Sequence, residues 1–474
     1  MMNRWWGILL VIHAVTAVHL YQQTLFADQN DTNLDFGHAV RLKGSVAAVG
    51  SVFALFAKEL DKPVGSVTVL ERIGTEWSLQ ALLFPMIEMP AFFGHSLGLD
   101  EDWLIVGCPG NNSQTGYAAA YARSASSVDF FQFLLPTHNE AWRFGLSVDI
   151  HNGSVAVGIP GQFSGAGGVQ MFEWADNQWG VGTLLTSAPE VGGAQMGTVV
   201  AMHDGWLFAG APAPSSYKGS VSVYRRVVMN DQPAWQFRNM ITATANTHSY
   251  GRSLACDAGL LAVGFISERE RDTGEFVDIG AVNLYYYSDD GLTIVQKLEA
   301  ASTVEHVGFG RAIATLGSVI VVGDTSDKTS GVGTGAALVY RYDAETSQFV
   351  FEAPVFPINS VAGMTGSSVA VSDRLVATGA PATMSHAGIV YTVAADCVVG
   401  DPPLAWDQCA PHQPGPAVAG GTSQVRWGLV GAVVAVVVGA VLVCGCCSGG
   451  AVIAAVVAVA QIVGDPYREP LAWK

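Results

Sequence analysis

Basic residues are scarce in this chain of 474 residues: 23 Lys and Arg stand against 40 Asp and Glu, a net charge of −17. A phosphate backbone is held by clustered Lys and Arg, and no basic patch is present, which argues against nucleic acid as a partner. Charged residues of both signs reach only 13% while apolar residues reach 50%. That balance argues against disorder and for buried strands, membrane, or both. The chain also lacks H-E-x-x-H and any close Cys/His pairing, so its 11 histidines give no metal signature. The Gly-rich GVGTG at 331–335 lacks the Lys-Ser/Thr of a phosphate-binding loop and reads as a connection.

What is present begins with membrane-related segments at both ends. Met1–Arg4 is a short positive start, Trp5–Thr16 is apolar, and Val15 and Ala17 are small residues placed for cleavage after Ala17. Residues 1–17 are expected to be a secretory signal peptide; a signal anchor is the alternative, disfavoured by the short apolar run. Residues 427–447 carry no charge and would span about 31 Å as a helix, matching a hydrocarbon core of roughly 30 Å. They are expected to form a transmembrane helix. Apolar character resumes at 451–463, and a break is expected at Ser448–Gly450, because one continuous helix would be about 55 Å long. The second piece is expected at the inner interface or beside the first; a helical hairpin is the alternative. The expected order is a propeller ectodomain at 18–395, a Pro/Gly-rich stalk at 396–426, the spanning helix, and a short cytoplasmic segment at 448–474. This is a single-pass type I plasma-membrane topology.

Cysteine usage fits an exported ectodomain. Cys397 and Cys409 flank a short Pro-rich segment and are candidates for a disulfide. Cys108 and Cys256 stand far apart, and whether they pair is open at this level. Cys444, Cys446 and Cys447 close the spanning segment, where S-acylation is one reading and small helix residues another. Sequons place candidate N-glycosylation at Asn30, Asn111 and Asn152.

The strongest signal is a repeat. The element aromatic-Gly recurs as FGHAV (36–40), FGHSL (93–97), FGLSV (144–148), MGTVV (196–200), YGRSL (250–254) and FGRAI (309–313), with a degenerate TGSSV at 365–369. A second glycine follows each first one at an offset of 13: Gly50, Gly107, Gly158, Gly210, Gly264, Gly323 and Gly379. Tight turns such as IHNGS and MHDGW lie between the two, which reads as a two-stranded hairpin. A third strand opened by glycine follows in every unit, and a fourth in six of them. The seventh unit lacks its fourth strand, and residues 19–27, HLYQQTLFA, carry the pattern of one. The expected fold is therefore all-β: a seven-bladed β-propeller of four-stranded antiparallel blades, closed by an N-terminal strand.

These motifs resemble the FG-GAP repeat, the blade of the N-terminal propeller of integrin α-chains and related extracellular proteins. The resemblance covers residues 19–393 and implies a seven-bladed propeller used for adhesion and ligand recognition. Two integrin features are not expected here: calcium loops between the paired glycines, and leg domains after the propeller. Adjacent Asp100, Glu101 and Asp102 in LDEDW cannot all face one ion, so no calcium loop of the integrin kind is expected; no metal and no cofactor is assigned.

Ser96 lies in GHSLG, which matches the G-x-S-x-G elbow of α/β-hydrolases. Its equivalents in other units are Ala39, Ser147, Val199, Ser253 and Ala312, so it reads as a replaceable strand position, and no catalytic residue is assigned. His138, His248 and His306 are expected in loops before first strands, as surface residues. Candidate ligand-binding residues are Trp142 and Arg143 in PTHNEAWRFG, with Glu268, Arg269, Glu270, Arg271 and Asp272 in the expected long loop 265–280. A solvated charge run and a packed aromatic are the competing readings. The expected function is cell-surface recognition or adhesion toward an extracellular protein or glycan. A propeller enzyme acting on glycans and a coat or scaffold protein are the alternatives.

Overall fold

The computed structural model describes residues 22–26 and most of 35–394; outside the described residues are 1–21, 27–34, 395–474 and several connections between strands, among them 55–63, 111–114, 139–141, 187–193, 213–217, 357–362 and 382–388. The expected signal peptide, stalk, spanning helix and cytoplasmic segment therefore lie outside them, as do Asn30, Asn111, Asp272, Cys397, Cys409, Cys444, Cys446 and Cys447. Among the described residues no helix is long and apolar enough to cross a membrane.

The described chain forms seven four-stranded antiparallel sheets. Six are sequential meanders, whose first strands are Phe36–Lys43, Ser96–Leu99, Val148–His151, Val199–His203, Thr247–Asp257 and Phe309–Leu316. The seventh combines Ser368–Val371, Leu375–Ala380 and Ile389–Ala394 with the N-terminal strand Gln22–Phe26 on its outer edge. Each first strand touches the first strand of the next blade, and that of blade seven touches that of blade one. The blades thus surround a central axis as a closed seven-bladed propeller, in which full closure leaves no unpaired terminal sheet.

The constant offset of 13 follows from the hairpin register. The second residue after the first glycine pairs with the second glycine, as in Ala39↔Gly50, Ser96↔Gly107, Val199↔Gly210 and Ser368↔Gly379. A two-residue turn is all that fits between the strands. In blades three and four the turn residues Asn152-Gly153 and Asp204-Gly205 are all left-handed, the conformation a tight type I′ hairpin requires.

The glycines themselves form the seams. A Cβ placed on any of the seven second glycines would lie closer than 3.0 Å to the carbonyl oxygen of the first glycine in the next blade. Side-chain atoms are excluded there because backbone meets backbone. The preceding large side chain, aromatic in five of these six units, fills the pocket beneath: Phe36, Phe93, Phe144, Met196, Tyr250 and Phe309 are all buried. Apolar residues accordingly gather in seven clusters, each mixing residues of two adjacent blades, as Val67 and Val69 of blade one do with Phe93 and Leu97 of blade two. The core is a ring of interblade layers, and burial there supplies the dominant folding force.

Blade seven is the exception that its sequence announces. Thr365 occupies the aromatic slot fully buried, and its Oγ1 has no hydrogen-bond partner. Replacing an unsatisfied buried hydroxyl by a methyl group removes a desolvation penalty, so Thr365→Val is expected to raise stability by about 1 kcal/mol. Chemical denaturation of the two proteins side by side checks it.

Candidate functional site

Two faces surround the axis. One carries the tight turns between first and second strands; the other, here the loop face, carries the connections into each blade and those between second and third strands. On the loop face every blade begins with the same turn. The residue two before the first glycine is left-handed in six blades, including Asp35, Phe92, Arg143 and Met364, and its carbonyl accepts from the N–H three residues on, as in Leu146 to Arg143 at 3.1 Å. A left-handed non-glycine costs energy, and six recurrences make it a property of the fold.

Trp142 and Arg143 sit in this turn of blade three. Trp142 is 50% exposed, forms an isolated bridge with Thr115 of blade two, and accepts from the Gly161 N–H at 3.3 Å. Its backbone is pinned while its ring is left open. Nearby in sequence order around the ring, Phe53 is 43% exposed and meets Phe92 edge-on at 5.9 Å.

The position just after the first glycine supplies the remaining groups of the mouth: His38, His95, Arg252 and Arg311 in blades one, two, five and six. The rings of His38 and His95 are 4.8 Å apart. His38 Nδ1 lies 3.0 Å from Asp35 Oδ2, and His95 Nδ1 donates to the Leu146 carbonyl at 3.2 Å. Burial, with His38 and Arg143 adding positive charge, pushes His95 down to about 3. His95 is therefore neutral in the folded protein at ordinary pH. Because its folded value is below its unfolded one near 6.5, the associated stability is intact above that pH and is lost as pH falls toward 3. We expect the melting temperature to drop on acidification below pH about 6.5, and His95→Gln to make that acid limb shallower.

Across the mouth, Arg252 Nη2 donates to the carbonyls of Val307 and Phe309 at 2.9 and 2.5 Å. Burial and the neighbouring Arg311 lower it to about 10. His306 Nε2 lies 2.7 Å from Oδ2 of the buried Asp324, a pairing that raises the histidine above its ordinary value. That contribution runs opposite to the one from His95: it is present below pH about 6.5 and fades as pH rises.

The expected loop 265–280 is instead a β-ribbon. Strands Leu260–Glu270 and Phe276–Ser288 stay paired out to Glu268↔Asp278, Arg269↔Val277 and Glu270↔Phe276, leaving only a short turn. Its charges are largely spent on neighbours: Arg269 binds Glu299 at 2.7 Å and Arg271 faces Glu275 at 3.6 Å. Alternation along 265–270 extended the ladder past the glycine, which the acidic and basic letters concealed. His248 likewise belongs to the strand Thr247–Asp257, paired with Ile266 and 3.3 Å from Asp278, while His138 is in a connection as expected.

Ser96 bonds across a seam between blades. Its Oγ donates to the Gly145 carbonyl of blade three at 2.9 Å, and Ser147, Ser253 and Ser368 donate to Gly197, Gly310 and Gly37 in the same way at 2.8, 2.7 and 2.7 Å. The serine is a clasp between blades, present in four of the seven seams, and Ser368 joins the last blade to the first. Ser96→Ala is expected to cost about 1 kcal/mol in thermal or denaturant unfolding and to leave the fold intact.

The hairpin face is closed by ion pairs and a histidine stack. Lys43 meets Glu101 at 3.0 Å, the rings of His151 and His203 are 4.5 Å apart, and His203 Nδ1 is 3.2 Å from Asp257 Oδ1. Asn152 is exposed at its turn there, while the hydroxyl of Ser154 in the same sequon donates to Glu173 at 2.7 Å. Among the described residues no three His, Cys, Asp or Glu side chains stand where they could hold a metal ion. Cys108 and Cys256 are both free thiols and do not pair. Burial pushes Cys108 up to about 12 and Cys256 well above its ordinary value, Asp149 and Asp257 adding to the latter, which disfavours the thiolate at both.

No protein-family model matches the chain, and no curated protein does. Solved structures do match. A candidate 6-phosphogluconolactonase from Bacteroides uniformis is 12% identical, with a TM-score of 0.45 over 71% of this chain and 89% of that one. A hypothetical selenium-binding protein from Sulfolobus tokodaii is 9% identical, with a TM-score of 0.47 over 74% and 89%. A protein from Lactobacillus plantarum is 13% identical, with a TM-score of 0.31 over 65% and 96%. At these levels the similarity carries nothing about activity or ligand.

Proposed function

We propose that this chain is a membrane-anchored cell-surface recognition or adhesion protein, presenting a propeller of FG-GAP type as a binding platform for an extracellular protein or glycan. The observation that carries the reading is Trp142, half exposed on a backbone pinned between two blades and followed by Arg143 at the mouth of the axis. Rigid aromatic and arginine side chains of this kind dominate binding energetics. The sevenfold glycine spacing, with Phe-Gly in four of the units, supports the FG-GAP kinship, and the apolar segments 5–16 and 427–447 support export and anchoring.

The glycan-enzyme reading is weaker, because general acid and base chemistry needs free carboxylates at the mouth. Asp35 and Asp324, which stand there, are each engaged by a histidine. Binding of fragment 18–395, labelled with a fluorophore, to cell surfaces and immobilised glycans tests the proposal. Saturable binding that falls at least about tenfold with Trp142→Ala is expected. Absence of any saturable binding by the wild type would sink it.

A further inference from the structure

In six blades a third-strand residue lies against the hairpin turn, its N–H bonded to a turn carbonyl. That residue is Arg72, Arg123 or Arg226 in blades one, two and four, and Tyr287 or Tyr342 in blades five and six. Blade three has Trp174, bonded to the Gly153 carbonyl at 2.8 Å. Its turn differs too: Asn152-Gly153-Ser154 is the one hairpin turn of the seven units whose sequence is an N-x-S/T sequon. The aromatic substitution and the sequon therefore coincide in a single blade.

Trp174 belongs to an aromatic cluster at the seam with blade two. Its ring centroid is 4.7 Å from that of Trp103, 5.5 Å from Phe131 and 5.3 Å from Trp179. Trp179 is the buried floor, and Gln132 of blade two accepts from its N–H at 3.0 Å and donates to its carbonyl at 2.8 Å. Trp103 and Trp174 are partly exposed and Phe131 is 40% exposed, so a fixed aromatic surface meets solvent there. Asn152 is exposed, and a Cβ built on the next residue, Gly153, would lie 3.6 Å from Cβ of Trp174. A group attached to Asn152 thus starts beside this surface. Aromatic rings are apolar area that the C–H face of a sugar can cover, removing both from water.

Resting on the export reading, we propose that Asn152 carries an N-linked glycan whose first sugars lie on the surface of Trp174, Trp103 and Phe131, covering the hairpin face of blades two and three and leaving the loop face open. The donor is an oligosaccharide on a lipid pyrophosphate. Asn152 Nδ2 bonds to the sugar C1, the C1–O bond breaks, the lipid pyrophosphate leaves with the electron pair, and one amide proton passes to a base of the transferase. Transfer acts on the unfolded chain, so the bond from Ser154 Oγ to Glu173 in the finished blade does not oppose it.

The test expresses the full chain in glycosylating secretory cells and purifies it in mild detergent. Peptide mass spectrometry reads occupancy at Asn30, Asn111 and Asn152, and hydroxyl-radical oxidation reads exposure ring by ring. The comparison is Asn152→Asp, which removes the acceptor and tolerates the left-handed turn. A glycan at Asn152 is expected, with most of the oxidation that Trp174 and Phe131 show in Asn152→Asp lost in the wild type. Trp142 on the loop face should be oxidised equally in both. Asn152→Asp is expected to lower the melting temperature by about 2 °C, and Trp174→Leu to abolish that difference. Equal oxidation of Trp174 with and without the glycan, or an undiminished melting difference in the Trp174→Leu background, overturns the inference. So does an unmodified Asn152 beside a glycan at Asn30 or Asn111, which leaves export standing. No glycan at any of the three contradicts the inference and the export reading together.

Discussion

Alanine at Gly50 is expected to cost more than about 3 kcal/mol, a large share of the roughly 5–15 kcal/mol that holds a domain folded. The added Cβ would lie inside 3.0 Å of the Gly94 carbonyl oxygen of blade two, with the carbon and Cα of Gly94 also in reach. Every opposing atom is backbone, so no rotamer change relieves the overlap and the seam itself must open. Opening it strips water-excluding contacts from the layer of Val67, Val69, Phe93 and Leu97. Gly44 provides the control. It is left-handed, with φ +54, yet nothing lies within 4 Å of an added Cβ, so Gly44→Ala should cost only about 1 kcal/mol. Parallel melts of the two variants separate crowding at the seam from ordinary loss of a glycine.

Deleting residues 22–26 is the second change with a large expected effect. This strand pairs from Gln22↔Val393 to Phe26↔Ile389, and its Leu25 is buried in the layer shared by blades seven and one. The loss combines one buried leucine with a row of ladder hydrogen bonds, roughly 5 kcal/mol together. It also bares the edge of Ile389–Ala394, a template for pairing with another chain. The expected result is aggregation during expression, and recovery of a monomer when a peptide of residues 18–28 is supplied in trans. A deletion variant that stays monomeric with an unchanged melting temperature would show that the ring does not depend on this closure.

The propeller was legible because its constraints are local. A fixed offset between Gly37 and Gly50, repeated six more times, reports a hairpin of fixed length, and the missing fourth strand after Ile389–Ala394 pointed to Gln22–Phe26 at the other end. What the glycines touch was not legible, since Gly50 and Gly94 meet across blades 44 positions apart. The site was read only in part. Trp142 and Arg143 stood out by residue type, but His38 meets His95, and Arg252 neighbours Arg311, through the ring and not through the chain. Comparing the residue after each FG across the seven units would have found all four. The charged run at 268–271 misled in the other direction, because a strand extended beyond its repeat looks like a polar loop when its pairing partners 276–278 are read as part of the same loop and Glu299 lies in another segment.

The most direct test of the account sets the two faces against each other. Fragment 18–395 is measured for saturable binding to cells with two double variants, Trp142→Ala with Arg143→Glu on the loop face, and Asp102→Arg with Asp204→Arg on the hairpin face. Loss of at least about tenfold in affinity from the first pair alone, with both proteins melting as the wild type does, is the outcome that a loop-face recognition site predicts. Retained binding by the first pair, or loss confined to the second, would contradict it.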